Sequence, residues 1–251
     1  MIGVPHLVQV RRLGESVAVL ETDDAENANR LSERLCEEFT GALAELAREP
    51  ALRVLILAGT PKVFCAGATL ESLRRIAAGE FDVKDLTIGR RILEFPVPVV
   101  GAIQGHAIGG GLLMAACCDI TVASETSRYG VNFTELGFTP GMGATVLLPA
   151  LVGPQFAAEM MMTAKFYKGR ELKNRGLFTH IVPAADVMPL AEDIAGRIAA
   201  KPRYVLEMLK ETLALPRRAG LEAAIARESQ MHRICFSRPE TAALIEDSYN
   251  S

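Results

Sequence analysis

Several features that mark membrane, secreted or nucleic-acid-binding proteins are missing from this sequence of 251 residues. No apolar run reaches the roughly 20 residues that a membrane helix needs. Residues 1–12 carry two arginines after a short apolar stretch, which does not favour a secretion signal. The formal net charge of -3 gives no overall attraction to nucleic acid. We therefore expect a cytoplasmic protein with neither a membrane nor a nucleic acid as its main partner.

The usual signatures of disulfides, metals and nucleophilic serines are also missing. The five cysteines form no CxxC pair and no regular framework, which indicates free thiols in a reducing compartment. There is no HxH or HExxH motif, and the run of three glycines lacks the Lys-Ser/Thr of a phosphate loop. No GxSxG elbow is present. We expect neither a metal nor a resident cofactor, and an α/β-hydrolase is not favoured.

What the chain does have is enough apolar sequence, 49%, to bury the core of one α/β domain. Residues 16–21 alternate as a strand does, and five apolar residues from Leu31 to Leu46 share one helical face. Three short apolar runs predict buried parallel strands at residues 53–58, 97–103 and 120–123. After about Pro154 the pattern becomes helical, with helices predicted at residues 187–200, 203–213 and 221–236, separated by Pro202 and Pro216.

Two glycine-bearing segments follow predicted strands. They are FCAGAT, at residues 64–69, and QGHAIGGG, at residues 104–111. Each places backbone N–H groups where a strand gives way to a helix. Either segment alone could serve only as a tight turn or a weak phosphate loop. The two together, at this separation, are more specific.

Four segments resemble, in chain order, the signature of the crotonase (enoyl-CoA hydratase/isomerase) superfamily, and the resemblance extends over almost the whole chain. The segments are FCAGATL, PVPVVGAIQGHAIGGG, CDITVAS and GFTPGMGAT. The resemblance implies the α/β ClpP/crotonase-like fold, a repeated ββα spiral with a helical C-terminal appendage. Residues 1–200 would form the core with an acyl-thioester site, and residues 201–251 a trimerisation and lid region. It also implies that the N–H groups of Ala68 and Gly110 form an oxyanion hole, which would hold a thioester oxygen as it becomes an enolate oxygen.

Hydratases of this family carry two catalytic glutamates, and this sequence has Leu113 and Phe133 at those places. Neither side chain can act as an acid or a base, so hydration is not expected. Glu135, two residues from the second place, is expected to be solvated or structural. An oxyanion hole without glutamates suits a reaction that makes its own carbanion, such as decarboxylation.

Three further features are similar to the decarboxylating crotonase homologues of polyketide β-branching cassettes. They are the segments NFTELGFTPGMGAT and FYKGRELKNRG and a histidine near the C-terminus, His232. That resemblance implies a carboxy-lyase that converts 3-methylglutaconyl on an acyl carrier protein to a 3-methylcrotonyl-type thioester. The phosphopantetheine or CoA would arrive with the substrate. A homotrimer or a pair of trimers is expected by the same resemblance.

Site residues follow from the same resemblance. His232 would protonate the dienolate, and Lys84 would hold the substrate carboxylate, with Arg74 and Arg75 as alternative cations. His106 and His180 are expected to be structural. The residues expected to contact the substrate are Ala66, Leu113, Asn132, Phe133 and Gly141.

Two alternatives stay open at this point. One is an enzyme of the same superfamily, a hydratase, dehydratase, isomerase or thioesterase, that acts on another acyl-CoA. The other is a non-catalytic homologue that binds an acyl carrier or RNA through the basic residues between 74 and 91. Acidic residues interrupt that cluster and it lacks interleaved aromatics, which favours a mixed surface or a carrier-docking site over an RNA track.

Overall fold

A computed structural model of the chain describes residues 6–80, 82 and 87–250. A six-stranded sheet forms its centre. The order of the strands in this sheet is β1-β2-β3-β5-β7-β10. Strand β1 is antiparallel to β2, and the other neighbours are parallel. The strands are β1 (Val8–Leu13), β2 (Val17–Thr22), β3 (Val54–Ala58), β5 (Val99–Ile103), β7 (Ile120–Ser124) and β10 (His180–Val182).

A second, four-stranded sheet lies beside the first and is built from the segments that follow its strands. Its order is β4-β6-β8-β9, with only the last pair antiparallel. The strands are β4 (Val63–Cys65), β6 (His106–Ile108), β8 (Arg128–Gly130) and β9 (Tyr167–Lys168). Both glycine-bearing segments belong to this sheet, so it determines where their N–H groups lie.

Nine α-helices lie in the described part of the chain. They are α1 (Glu33–Leu46), α2 (Leu70–Ala77), α3 (Ile88–Leu93), α4 (Gly110–Cys117), α5 (Ala144–Val152), α6 (Pro154–Thr163), α7 (Val187–Ala199), α8 (Arg203–Phe236) and α9 (Pro239–Asn250). None of the described helices is long and apolar enough to cross a membrane.

The core covers both faces of the large sheet at its centre, which explains the uninterrupted apolar runs of β3 and β5. Leu55 and Leu57 of β3 face the larger cluster, together with the buried face of α1. Val54 and Ile56 point to the opposite face and pack with Ala191 and other residues of α7. Because both faces are buried, these strands do not alternate between apolar and polar residues.

The strands and the first helix predicted from periodicity are confirmed, but the helix break predicted at Pro216 is wrong. Helix α8 runs without interruption for 34 residues through Pro216. A proline inside a helix costs about 3 kcal/mol, because it removes a hydrogen bond and its ring clashes with the preceding turn. Tertiary contacts on both sides of the proline hold the helix in place. Lys210 and Arg217 each bind one oxygen of Asp119, at 2.6 and 2.7 Å.

Two short strands, β9 and β10, also follow the point at which the strand pattern was predicted to fade. Each has only two or three residues, too few to show a period. The boundary predicted at residues 200 and 201 falls in the turn between α7 and α8, and it stays a prediction.

Candidate active site

The first glycine-bearing segment forms the turn from β4 into α2. Gly67 has a positive φ of 86°, which glycine adopts without steric cost. The Thr69 side chain caps α2 by accepting a hydrogen bond from the Ser72 N–H at 3.0 Å. Ala68 therefore lies between a left-handed glycine and a helix cap, in a short and well-fixed turn.

The second segment forms the turn from β6 into α4. Gly109 has φ 54° and ψ -121°, a combination that is essentially confined to glycine. Gly110 begins α4, whose eight residues are all buried. The N–H groups of a helix's first turn have no partner within the helix, and the helix dipole makes this end attractive to negative charge.

The two turns lie against each other. A Cβ atom placed on Gly67 would be 3.1 Å from the Ile108 carbonyl oxygen and 3.8 Å from the Gly110 nitrogen. Within the described residues, neither the Ala68 N–H nor the Gly110 N–H donates to a protein acceptor. The two groups are therefore adjacent and available, as an oxyanion hole requires.

The carbonyl of each of these two peptide groups accepts a hydrogen bond. Gly67 O accepts from the Leu31 N–H at 2.8 Å, and Gly109 O accepts from the Leu112 N–H at 3.1 Å. A hydrogen bond to the carbonyl polarises the peptide group and strengthens its N–H as a donor. Because N–H and C=O point in opposite directions across a trans peptide, the same bonds fix the direction of each N–H.

Ala68 and Gly110 line a cavity that is partly open to solvent, here called the active-site cavity. The cavity is also lined by five other predicted site residues, which are Ala66, Asn132, Phe133, Gly141 and His232. Most of the remaining lining is apolar. It comprises Leu31, Leu73, Ile76, Leu136, Phe138, Met142 and Phe236, together with Gly67, Gly109 and Tyr249.

Leu113 departs from its predicted role, because it does not line this cavity. It is 1% exposed and belongs to the main hydrophobic core. Helix α4 packs against α3 and α5, and its sides therefore meet other helices rather than the substrate. Only its first residue faces the cavity.

The cation predicted to hold the substrate carboxylate cannot be placed, because Lys84 lies outside the described residues. The two alternative cations are already paired, Arg74 as an exposed side chain and Arg75 as a half-buried one. Arg74 binds both oxygens of Glu246 at 2.6 Å, and Arg75 binds Glu33 at 2.7 Å. Neither arginine lines the active-site cavity.

His232 is 4% exposed, and its ring has one defined hydrogen bond, between Nε2 and Thr139 O at 2.7 Å. A carbonyl only accepts, so Nε2 carries the proton and Nδ1 is the basic atom in the neutral ring. Nδ1 has no hydrogen-bond partner. Burial lowers the pKa of His232 below its ordinary value, with the Thr139 hydrogen bond and the charge of Glu228 opposing that effect.

Aromatic rings account for much of that burial. Phe138 and Phe236 lie with their ring centroids 5.5 and 5.7 Å from the imidazole. Phe133 extends the group, 5.7 Å from Phe138. The ring is thus held in an apolar surrounding that disfavours its charged form.

Glu228, one helical turn before His232, was missed by the sequence analysis. It is fully buried, and its carboxylate accepts from the Gly143 N–H at 2.7 Å and from the Thr145 N–H and hydroxyl at 3.1 and 2.7 Å. It therefore caps the first turn of α5. His232 binds Thr139 O and Glu228 binds the Gly143 N–H, so α8 holds both ends of the loop from 139 to 143. This loop places Gly141 and Met142 in the cavity wall. The four-residue spacing of the two side chains on one helix is the signal that could have revealed this pair.

The lining of the cavity, as far as the structure describes it, includes no aspartate, glutamate, lysine or arginine. His232 and Tyr249 are the titratable groups there. Glu135 is exposed, as expected, and lies away from the cavity. A carboxylate that could position water for hydration is thus absent from the described wall.

The two histidines expected to be structural lie away from the cavity. His106 accepts a hydrogen bond from the Arg128 N–H through Nδ1 at 2.9 Å, and it joins β6 to β8. His180 begins β10 at the edge of the large sheet.

Comparison with known proteins identifies the family. The model of the enoyl-CoA hydratase/isomerase family matches residues 12–245. The chain belongs to this family. The predicted crotonase fold is therefore confirmed, and solved structures of the family match it over nearly its whole length.

Among the relatives, the bacillaene synthase decarboxylase PksI of Bacillus subtilis is 33% identical over 245 residues, 98% of both proteins. The crotonyl-CoA hydratase of Syntrophomonas wolfei is 31% identical over 227 residues, 89% of this chain and 87% of that protein. Among solved structures, one from a dehydratase/decarboxylase couple involved in polyketide β-branching has a TM-score of 0.94 at 33% identity, covering 98% of this chain and 100% of that one. The ECH2 decarboxylase domain of CurF from Lyngbya majuscula has a TM-score of 0.89 at 33% identity, covering 97% and 100%.

Proposed function

We propose that this protein is a carboxy-lyase that decarboxylates 3-methylglutaconyl on an acyl carrier protein, giving a 3-methylcrotonyl-type thioester in polyketide β-branch formation. The observation that carries the proposal is a cavity with two available N–H groups and a buried histidine, but no carboxylate in its described wall. Decarboxylating relatives at 33% identity over almost the full chain support the same reaction. No resident cofactor is needed, since the thioester itself accepts the electron pair.

In the first step, the bond between the γ carbon and the carboxylate breaks and CO₂ leaves. The electron pair of that bond spreads through the alkene to the thioester oxygen, which forms a dienolate. The N–H groups of Ala68 and Gly110 donate to this oxygen more strongly as its charge grows, so they lower the barrier rather than only binding the substrate.

In the second step, a proton is added to the dienolate at its α or γ carbon. His232 is the side chain of the described wall whose ordinary pKa lies closest to neutral pH, and burial lowers that pKa. Its Nε2 proton is held by Thr139 O, so Nδ1 is the atom that carries the second proton when the ring is protonated and delivers it to the dienolate. The apolar rings around it keep the neutral form dominant until the negative dienolate is present.

Lys84 is proposed, from the resemblance alone, to hold the carboxylate that leaves. A tight ion pair would oppose CO₂ loss, so its role would be to orient this group over the apolar wall, where Phe133 lies. Lys84→Ala should reduce turnover of the carboxylated substrate while leaving binding of the 3-methylcrotonyl product unchanged. Equal losses for substrate and product would contradict this role.

The protein is further proposed to act as a cytoplasmic homotrimer, as its crotonase relatives are understood to do. All five cysteines are free. Helix α8 exposes a row of apolar side chains at helical spacing, including Tyr204 at 65%, Met208 at 60% and Leu215 at 59%. A row of this kind is typical of a contact surface between subunits. Light scattering should give the mass of a trimer, and Met208→Glu should give smaller species with an unchanged circular dichroism spectrum.

The reaction is tested by incubating the protein with the loaded acyl carrier protein and following the intact mass of the carrier. Loss of one CO₂ is expected. A gain of one water would point to the hydratase alternative, for which the 31% identity to a crotonyl-CoA hydratase is the support. An unchanged mass with a bound carrier would point to a binding protein.

A further inference from the structure

The turn that carries the Ala68 N–H is held by two side chains from opposite ends of the chain. Arg30 Nη1 donates to Ala66 O at 3.2 Å and to Ala68 O at 3.1 Å. Tyr249, near the end of α9, donates its hydroxyl proton to Ala68 O at 2.7 Å. The same Arg30 nitrogen lies 3.3 Å from the Tyr249 hydroxyl, and the guanidinium lies over its ring, 4.8 Å from the centroid.

With these bonds, three successive carbonyls of the turn each have a donor. Arg30 holds Ala66 O, the Leu31 N–H holds Gly67 O at 2.8 Å, and Arg30 and Tyr249 together hold Ala68 O. The peptide groups on both sides of the Ala68 Cα are therefore fixed. Since each peptide group is planar, this leaves little freedom for the Ala68 N–H to turn.

We propose that Arg30 and Tyr249 are positioning residues that set the direction of the Ala68 N–H in the oxyanion hole. This inference rests on the proposed role of Ala68 and Gly110. Tyr249 lines the active-site cavity, and burial raises the pKa of its hydroxyl, which therefore stays a donor over the working pH range. A catalytic donor must meet the oxygen within a few tenths of an ångström, so residues that hold it act on the rate more than on binding.

Helix α9 has further attachments that allow this role to be separated from general packing. Glu246 binds Arg74 of α2, and the Thr241 hydroxyl donates to Gly137 O at 2.9 Å. Neither contact touches the Ala68 turn. Glu246→Ala is therefore a matched control, because it weakens the docking of α9 and leaves Arg30 and Tyr249 in place.

The first test is steady-state kinetics on the carrier-bound substrate with Tyr249→Phe and Arg30→Met. Removal of a whole oxyanion donor costs about 100-fold or more in kcat, and a donor that is only loosened should cost less. We expect kcat to fall about tenfold in each variant, with KM within about twofold. Arg30→Lys keeps the charge but not the planar fork, so it should recover only part of the rate. Glu246→Ala should keep kcat.

The second test does not depend on decarboxylation. A 3-methylcrotonyl pantetheine thioester labelled with ¹³C at its carbonyl is bound to each protein, and the carbonyl stretch is read by infrared difference spectroscopy. The wild-type protein and Glu246→Ala should shift the stretch to lower frequency, and Tyr249→Phe and Arg30→Met should shift it less. An unshifted stretch in the wild type would refute the oxyanion hole itself. A shift that is equal in all four proteins, or an equal loss of kcat in Glu246→Ala and Tyr249→Phe, would overturn the positioning role alone.

Discussion

Replacing Gly67 with alanine perturbs the geometry of the proposed oxyanion hole without touching either donor. Gly67 has a φ of 86°, where an alanine costs about 1–2 kcal/mol. The added Cβ would also lie 3.1 Å from the carbonyl oxygen of Ile108, in the neighbouring turn. This contact is too tight for a carbon and an oxygen, so the two turns must move apart by a few tenths of an ångström.

The two effects have different sizes and different readouts. The backbone strain should lower the melting temperature by about 2–4 °C per kcal/mol in a chain of this length. The displacement separates Ala68 from Gly110, and the loss of one oxyanion donor costs about 10² to 10³ in kcat. Because the donors are displaced and not removed, we expect kcat to fall by about ten- to a hundredfold.

Gly14→Ala is the matched control. Gly14 has a φ of 72°, but no atom lies within 4 Å of its added Cβ, and it sits in the turn between β1 and β2. It should lose a similar amount of stability and keep kcat within about twofold. Decarboxylation rates and thermal unfolding of both variants provide the comparison. The reasoning is refuted if Gly67→Ala loses stability but turns over at the rate of Gly14→Ala.

The remaining predictions concern the histidine, the apolar wall and the fold. Because burial lowers the pKa of His232, wild-type kcat should rise as pH falls below 6.5 and the acid form appears. Stability should fall over the same range, because the unfolded chain takes up the proton first, and His232→Gln should remove both pH dependences. Phe133→Glu places a carboxylate in the cavity wall and should reduce decarboxylation at least about tenfold, whereas Phe133→Leu should not; equal rates would show that the apolar wall is unimportant. Asp119→Ala removes the carboxylate that neutralises the buried Lys210 and should cost about 3–5 kcal/mol in urea unfolding. Asp193→Ala, which removes the exposed ion pair with Arg197, is the comparison and should lower the free energy of unfolding by less than about 1 kcal/mol. Equal losses in the two variants would show that the buried pair is worth no more than the exposed one.

Much of the fold follows from local patterns. The apolar runs of β3 and β5 are uninterrupted because both faces of the sheet are covered, and four of the five residues of the predicted helical stripe form the buried face of α1. The glycine turns could be predicted because the positive φ found at positions 67 and 109 strongly favours glycine. Pro216 misled the prediction, because the contacts of Lys210 and Arg217 with Asp119 join residues about a hundred positions apart.

The candidate site was predicted only in part, for the same reason. Ala68, Gly110 and His232 were identified by resemblance, and the cavity brings them together. Arg30 and Tyr249 act through hydrogen bonds to backbone atoms, which leave no motif in the sequence. Glu228 has only its four-residue spacing from His232 as a signal. Leu113 was expected to contact the substrate because it stands where the family's hydratases have a catalytic glutamate. We assumed that a different side chain at that position would still point toward the substrate.

The most direct test of the central claim is a single-turnover experiment with 3-methylglutaconyl-loaded carrier protein, labelled with ¹³C in the carboxylate that leaves. With enzyme in excess, labelled CO₂ and the shortened thioester are measured at the same time points. The account predicts one labelled CO₂ for each thioester converted, and a slower rate in Gly67→Ala. Conversion of the thioester without labelled CO₂ would contradict it.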